Sequence, residues 1–315
     1  MKVELITPHA PSDDVVVNAA RVSYAKRADQ YSKDQNAKLI RYLANPPDGV
    51  PHWAPFAHAR FCFNMAMDEW ESLAFFAHIN PAGFSWYQAS PVYDPGIRSW
   101  QISGSFWAWH ENAFNLPDRL YLSVLSALYK YMPVSFKAVR PNTDLTREAL
   151  DLALPSSYMT CYETLRLRAP IYVARQFDKH QVHLVKSEVS RRYVKDSPTL
   201  WFPEEYHKAP KHSKQGASDE VFEDDENDTL FYAENRALHS IEDYDRLIYL
   251  GLAPEEARGF LPQAMETEWI WTGSLDAFRR VCRERLAPNA QGASRELAGM
   301  IQKAIAGKHG ENWLE

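Results

Sequence analysis

Residues 174–194 read ARQFDKHQVHLVKSEVSRRYV, and the rest of the chain is best read outward from them. Arg175, Lys179, His180, His183, Lys186, Arg191 and Arg192 crowd this stretch, and only Asp178 and Glu188 oppose them. Two hydroxyls, Ser187 and Ser190, and two amides, Gln176 and Gln181, stand among the bases. The whole chain carries a formal charge of -6, so the cluster runs against the average. A planar guanidinium fork grips phosphate oxygens, and a nearby hydroxyl adds a neutral donor. The stretch therefore reads as a site for a phosphorylated anion, against the blander alternative of a solvated basic face.

The bulk composition narrows the field. A chain of 315 residues can bury one large core or two smaller ones. No apolar run reaches the roughly 18 residues of a membrane span. The start, MKVELITPHA, shows no signal peptide, so a cytoplasmic location is expected, or the host cytoplasm for a viral chain. The 3 cysteines, Cys62, Cys161 and Cys282, are scattered, which argues for reduced thiols and against a metal site. Mild acidity gives no general nucleic-acid signal.

Along the chain, 2–7 predicts a strand and 13–21 a short helix capped by Ser12. A helix through 38–43 stops at Asn45-Pro46-Pro47. Leucines at 120, 122, 125 and 128 predict a helix over 117–132, and a second helical pattern is read over 144–168. DEVFEDDEND (219–228) predicts a loop or a solvated helix start. A helix follows from Leu230 and stops at Gly251, and Pro254 opens another. A last helix runs from about 290 to 307.

Four blocks, in order, resemble the flavin-dependent thymidylate synthases. The family frame is Ala-Arg-Gln, then Arg-His-Arg, then Ser inside Glu-x-Ser-x-Arg-Tyr. Here it reads Ala174-Arg175-Gln176, Lys179-His180-Gln181 and Glu188-Val189-Ser190-Arg191-Arg192-Tyr193, a variant branch with a Lys-His-Gln form. Ala19-Ala20-Arg21-Val22-Ser23 resembles the N-terminal element, and His52-Trp53-Ala54-Pro55-Phe56-Ala57-His58 resembles His-x-x-Pro-Phe-Glu-His, with Ala57 in place of Glu. Ala257-Arg258 with Leu261-Pro262, and Arg285 to Gln291, match the later blocks, with Ser274, Arg280 and Asn289 as departures. Residues 267–291 resemble the family pattern of aromatic strand, polar turn and helix. Read without the family, Ser23 is equally a helix-end hydroxyl and His52 a packed turn residue.

The resemblance implies an α/β fold in the broad sense, α+β in detail: a mixed core of antiparallel sheet and helices. It also implies a division into 1–67 with 167–315 as the catalytic domain. Residues 68–166 would then be an inserted, mainly helical subdomain with an aromatic loop, serving as packing or oligomer surface or as a lid over the folate. The implied reaction is reductive methylation of dUMP to dTMP with methylene-tetrahydrofolate. FAD would carry the hydride and NADPH supply it, with no metal. By resemblance Ser190, Arg285 and His52 are catalytic. Gln176, Glu188, Ser190, Arg192, Arg258 and Arg285 bind dUMP. Ser23, His52, Lys179, His180, Gln181, Glu188, Arg280 and Asn289 bind FAD. The expected partners are dUMP and folate, in a homotetramer with FAD at subunit interfaces, with no nucleic acid and no membrane. Alternatives are a dUMP hydroxymethylase of the same fold and an inactive nucleotide-binding paralogue.

Overall fold

A computed structural model describes residues 1–79, 84–88 (backbone only for 85–88), 96–155, 162–211, 218, 220–224, 228–290 and 292–314. In chain order the elements begin β1 (Lys2–Leu5), α1 (Asp13–Arg21), α2 (Lys33–Ala44), α3 (Ala54–Ala57), β2 (Arg60–Asp68) and α4 (Glu69–His78). There follow β3 (Phe84–Gln88), β4 (Ile97–Ser105), α5 (Phe106–Asn112), α6 (Asp118–Tyr131), α7 (Pro133–Val139) and α8 (Arg147–Asp151). The remainder is β5 (Tyr162–Pro170), α9 (Ile171–Phe177), β6 (Leu184–Glu188), α10 (Thr229–Tyr249), α11 (Pro254–Ala257), β7 (Glu266–Ser274), α12 (Leu275–Arg285) and α13 (Gly292–His309). Helices are mixed with antiparallel sheet, as the α+β reading expects. Two compact units form: Met1–Ile6, Val22–Ala25 and Glu163–Glu315 make the first, and Thr7–Arg21 with Lys26–Tyr162 the second.

The first unit carries a four-stranded sheet in the order β1-β5-β7-β6. β1 runs antiparallel to β5, with Leu5 opposite Leu165, and β6 antiparallel to β7, with Glu188 opposite Trp269. Leu165, Leu167 and Ala169 on β5 bury against Phe278 and Val281 of α12 and Leu297, Ile301 and Ile305 of α13. β7 turns into α12 at one residue, because the Ser274 hydroxyl accepts the Ala277 N–H at 3.1 Å. The C-terminal end of α13 is tied to β5 by Glu163, fully buried, which takes Lys308 Nζ at 2.9 Å and His309 Nε2 at 2.5 Å.

The second unit carries a three-stranded sheet in the order β2-β4-β3. β2 pairs with β4 along its whole length, from Arg60 opposite Ser105 to Asp68 opposite Ile97. Trp109 fills the centre, edge-on to Phe63 at 5.1 Å and to Phe84 at 4.8 Å, with its indole N–H reaching the Phe61 carbonyl at 3.3 Å. The backbone passes so close at Gly104 that a Cβ there would lie 2.6 Å from the Phe84 ring. α2 starts on a capping box: Ser32 accepts Gln35 N–H at 3.3 Å and Gln35 Oε1 accepts Ser32 N–H at 2.9 Å.

Two expectations need revision. The compact units do not divide at 67/68. β2 needs a hydrogen-bonded neighbour, β4 supplies it, and Val16, Val17, Ile40 and Leu43 share one core with Leu125, Leu128 and Phe136. Among its described residues the block from 68 to 166 is mainly helical, with β3 and β4 inside it; residues 80–83 and 89–95 of its aromatic loop lie outside the described residues. The helix read over 144–168 reduces to the short α8, and β5 occupies 162–170. Leu165, Leu167 and Ala169 recur with period two, which is a strand's spacing. Asp13, in the first turn of α1, caps another helix: its carboxylate accepts Val134 N–H at 3.0 Å, Ser135 N–H at 2.8 Å and the Ser135 hydroxyl at 2.5 Å, at the start of α7. Burial raises the Asp13 pKa, and these bonds pull it back. Asp13→Ala is expected to lower stability by about 2–3 kcal/mol, read in a denaturant titration, because it orphans donors at a helix start. A variant as stable as the parent rules this cap out as a support of the fold.

Candidate functional site

The signature stretch is shaped by three local events. Pro170 ends β5 and α9 begins; α9 stops after Phe177; and a turn over 178–183 leads into β6. His183 closes that turn with a left-handed φ of 58°, and its carbonyl accepts the Ser274 N–H at 3.2 Å. Gly273 faces this turn, and a Cβ there would collide with the Leu184 side chain and come within 3.1 Å of the His183 carbonyl. The turn is therefore seated directly against the end of β7.

The cationic cluster separates into committed and uncommitted charge. Lys186 is ion-paired with Glu188 at 2.7 Å and with Asp178 at 2.5 Å, and lies over the Trp269 ring at 4.8 Å. Glu188 is held from its other oxygen by the Thr267 hydroxyl at 2.6 Å. Arg166 pairs with Glu268, and Arg168 with Glu266 at 2.8 Å. Arg175 donates to Gln263 at 2.9 Å, and Arg191 to the Asp196 carbonyl at 2.5 Å. Arg192 is exposed; its guanidinium stands 5.4 Å from the Tyr193 ring and meets no acid among the described residues. Arg258 is also exposed and donates only its Nε–H, to the Glu255 carbonyl at 3.1 Å. In and around the signature stretch, these two arginines meet no acid among the described residues.

Ser190 and Ser23, far apart in sequence, meet: the Ser190 N–H donates to the Ser23 carbonyl at 3.0 Å. Beside them Tyr24 and Tyr193 stack at 4.8 Å. The Ser190 hydroxyl receives the Arg192 N–H at 3.4 Å, a weak turn contact.

A second group surrounds a cavity of about 290 Å³ lined by Lys179, His180, Gln181, Arg280, Glu284 and Arg285, among others. Arg285 is turned inward. Its Nε–H donates to His180 Nε2 at 3.0 Å and an NH2 to the Gln176 carbonyl at 2.7 Å. His180 Nε2 is thus an acceptor, and the ring is neutral with its proton on Nδ1, 3.8 Å from Glu284. Burial first, then the Arg285 charge, pushes the His180 pKa below its ordinary value, in agreement with that tautomer. Arg280 donates to the Val182 carbonyl at 3.0 Å and pairs with Asp276 at 3.2 Å. Gln176 presents its Oε1 to the Ser294 hydroxyl at 2.8 Å. Lys179 is exposed, with no hydrogen-bonding or ionic partner among the described residues. Asn289 sits exposed in the turn between α12 and α13, which Arg295 braces through the carbonyls of Pro288 and Ala290.

The structure thus gathers four of the expected flavin residues, Lys179, His180, Gln181 and Arg280, around one cavity. It adds Arg285, expected on the nucleotide. His52 belongs to the other compact unit, where its ring stacks on Tyr42 at 6.2 Å. Sequence reading missed Thr267, Trp269, Glu284 and Ser294. Register would have found the first two, since Thr267 and Trp269 share one face of β7 and Trp269 pairs with Glu188; the helical partners carried no signal of their own. Of the cysteines, Cys161 lies outside the described residues, and Cys62 and Cys282 are buried. Burial pushes the Cys282 thiol up to about 12, which keeps it protonated and unreactive at neutral pH. Among the described residues no helix is long and apolar enough to cross a membrane.

A family model described as thymidylate synthase complementing protein matches residues 117–309. The flavin-dependent thymidylate synthase of Aquifex aeolicus is 27% identical over 325 residues, covering 93% of this chain and 94% of that protein. An enzyme of the same name from Thermus thermophilus is 32% identical over 139 residues, 44% of this chain and 50% of that protein. A solved UMP/dUMP methylase, PolB from Streptomyces cacaoi, aligns over 97% of this chain and 90% of its own, at 18% identity and a TM-score of 0.43. With most of its length matched by the family model, from α6 through α13, this chain belongs to the thymidylate synthase complementing proteins, the family of the flavin-dependent thymidylate synthases.

Proposed function

We propose that the protein methylates dUMP reductively. The methylene carbon of methylene-tetrahydrofolate goes to C5 of the uracil, one hydride completes the methyl group, the C5 proton and one solvent proton end on the two folate nitrogens, and dTMP, tetrahydrofolate and NADP⁺ leave. A bound FAD would relay the hydride from NADPH. The observation that supports this reading most is the pairing of family membership with two separate cationic features in one unit. One is a cavity near 290 Å³, at the lower end of the roughly 300–1,000 Å³ range of ligand pockets, which suits one moiety of a dinucleotide rather than all of it. Lys179, His180, Gln181 and Arg280 would hold the flavin there. Ser23, Glu188, Asn289 and His52 join that set by resemblance, and the remainder of the cofactor fits a homotetramer in which a neighbouring subunit completes the site.

The other feature is the uncommitted pair Arg192 and Arg258, which takes the 5′-phosphate and uracil oxygens of dUMP together with Gln176, Glu188 and Ser190. Charge building on the uracil oxygens is stabilised by fixed donors aimed at them. Ser190 orients and does not attack, since no His–acid pair stands against its hydroxyl among the described residues. Arg285 is held in advance by His180 and the Gln176 carbonyl, so it needs no reordering when the nucleotide arrives. The buried thiols take no part.

The test is reconstitution of the full chain with FAD, followed by dUMP, methylene-tetrahydrofolate and NADPH without oxygen. A flavin spectrum that responds to dUMP, and dTMP as product, are expected. Hydroxymethyl-dUMP as product would select the alternative chemistry. A protein that takes up no flavin and shows no response to dUMP sinks the reading.

A further inference from the structure

A larger cavity, about 700 Å³, opens within the second unit along α2, the end of α6 and α7, and belongs to none of the residues assigned above. Its wall carries two cations, Arg41 and Lys137, and no acid, in a chain whose net charge is -6. Arg41, in the last turn of α2, has a side chain with no hydrogen-bonding or ionic partner among the described residues. Lys137 is fixed in place by the Thr143 carbonyl and the exposed Asp144 carboxylate, each at 2.8 Å. The same wall presents two aromatic rings that are already braced. Tyr42 stacks on His52 at 6.2 Å, and Tyr129 meets Phe136 edge-on at 5.5 Å. Asn45 donates its Nδ2 to the Ala138 carbonyl at 2.8 Å, which fixes the amide and leaves Oδ1 as an acceptor.

We propose that this cavity is a second ligand site, for a nucleoside monophosphate whose ring bears an amino group. The free Arg41 fork matches a phosphate in a way an ammonium does not, while Lys137, already paired with Asp144, shapes the wall beside it. Two braced rings offer a face to a planar base at little ordering cost. The Asn45 Oδ1 accepts from a ring amino group such as that of adenine. The volume lies inside the ordinary range for small-ligand pockets.

The experiment is calorimetric titration of AMP into the full chain carrying FAD, with dUMP present at saturation, and with adenosine and inorganic phosphate as separate arms. One AMP per protomer is expected, beyond dUMP. Arg41→Ala and Tyr42→Ala should each weaken that event at least tenfold, while Arg41→Ala leaves melting temperature and dUMP binding unchanged. Absence of AMP binding by the parent overturns the proposal, as does unchanged AMP affinity in Arg41→Ala. Inorganic phosphate displacing AMP at equal concentration also overturns it, because an anion alone would then suffice. The titration can equally be run on flavin-free protein. None of the residues lining this cavity carries the flavin or dUMP assignment, so failure of one reading does not decide the other.

Discussion

Acidification from pH 7 to pH 4 is expected to cost the second unit about 3 kcal/mol through His58 alone, or several degrees in melting temperature. His58 is fully buried at the end of α3, and burial lowers its pKa from 6.5 to about 3. The unfolded chain therefore binds a proton that the folded one refuses. The stabilisation is complete above about pH 6.5 and is lost progressively as the pH falls toward 3. His110 acts in the same direction. Burial, then the Arg140 charge, lowers its pKa to about 4, and its Nδ1 accepts the Arg140 Nε–H at 2.9 Å, which requires the neutral ring. Asp13, with a raised pKa, works in the opposite sense and offsets part of the loss. Chemical denaturation at the two pH values, for the parent and for His58→Gln, measures the difference. Glutamine keeps a polar side chain there without the titration, so the variant should lose less on acidification. Equal losses in both proteins would refute this assignment.

Arg192→Ala and Arg258→Ala are each expected to weaken dUMP binding by about 1.5–3 kcal/mol, roughly 10- to 150-fold, the worth of a hydrogen bond to a charged group. Both side chains are exposed and unpaired with acids among the described residues, so melting temperature should hardly move. Arg166→Ala makes the contrast. Arg166 is 7% exposed and ion-paired with Glu268, so its loss leaves a carboxylate without its partner and reduces stability. Affinity loss without stability loss is thus the mark of uncommitted charge, and the reverse is the mark of committed charge. Uridine binding as tightly as dUMP would remove the phosphate from the argument.

The elements that local chemistry dictates were legible in the chain. α2 ends where Asn45-Pro46-Pro47 interrupts it, α6 follows its leucines, α10 stops before Gly251 with its φ of 94°, and Ser274 turns β7 into α12. The signature residues were legible as a set too, because a clustered excess of charge is visible without coordinates. Period was where the reading failed. The helix expected across 144–168 passes over the spacing of two that Leu165, Leu167 and Ala169 of β5 obey. Only the β1 and β7 neighbours in the sheet turn that spacing into a strand.

The sequence by itself determined which residue types crowd the cationic stretch and, through four matched blocks, which family they belong to. It could not determine which charges are free, because an arginine's availability depends on whether an acid from another strand reaches it. Arg166, Arg168 and Lys186 meet Glu268, Glu266 and Glu188, while Arg192 and Arg258 meet none among the described residues. Nor could it place the division of the chain. β2 has unpaired backbone donors and acceptors on both edges until β4 covers one of them, and that pairing draws the N-terminal helices and the inserted block into one core. Hydrogen-bond satisfaction across long sequence separations is a property of the folded chain, and it decided both.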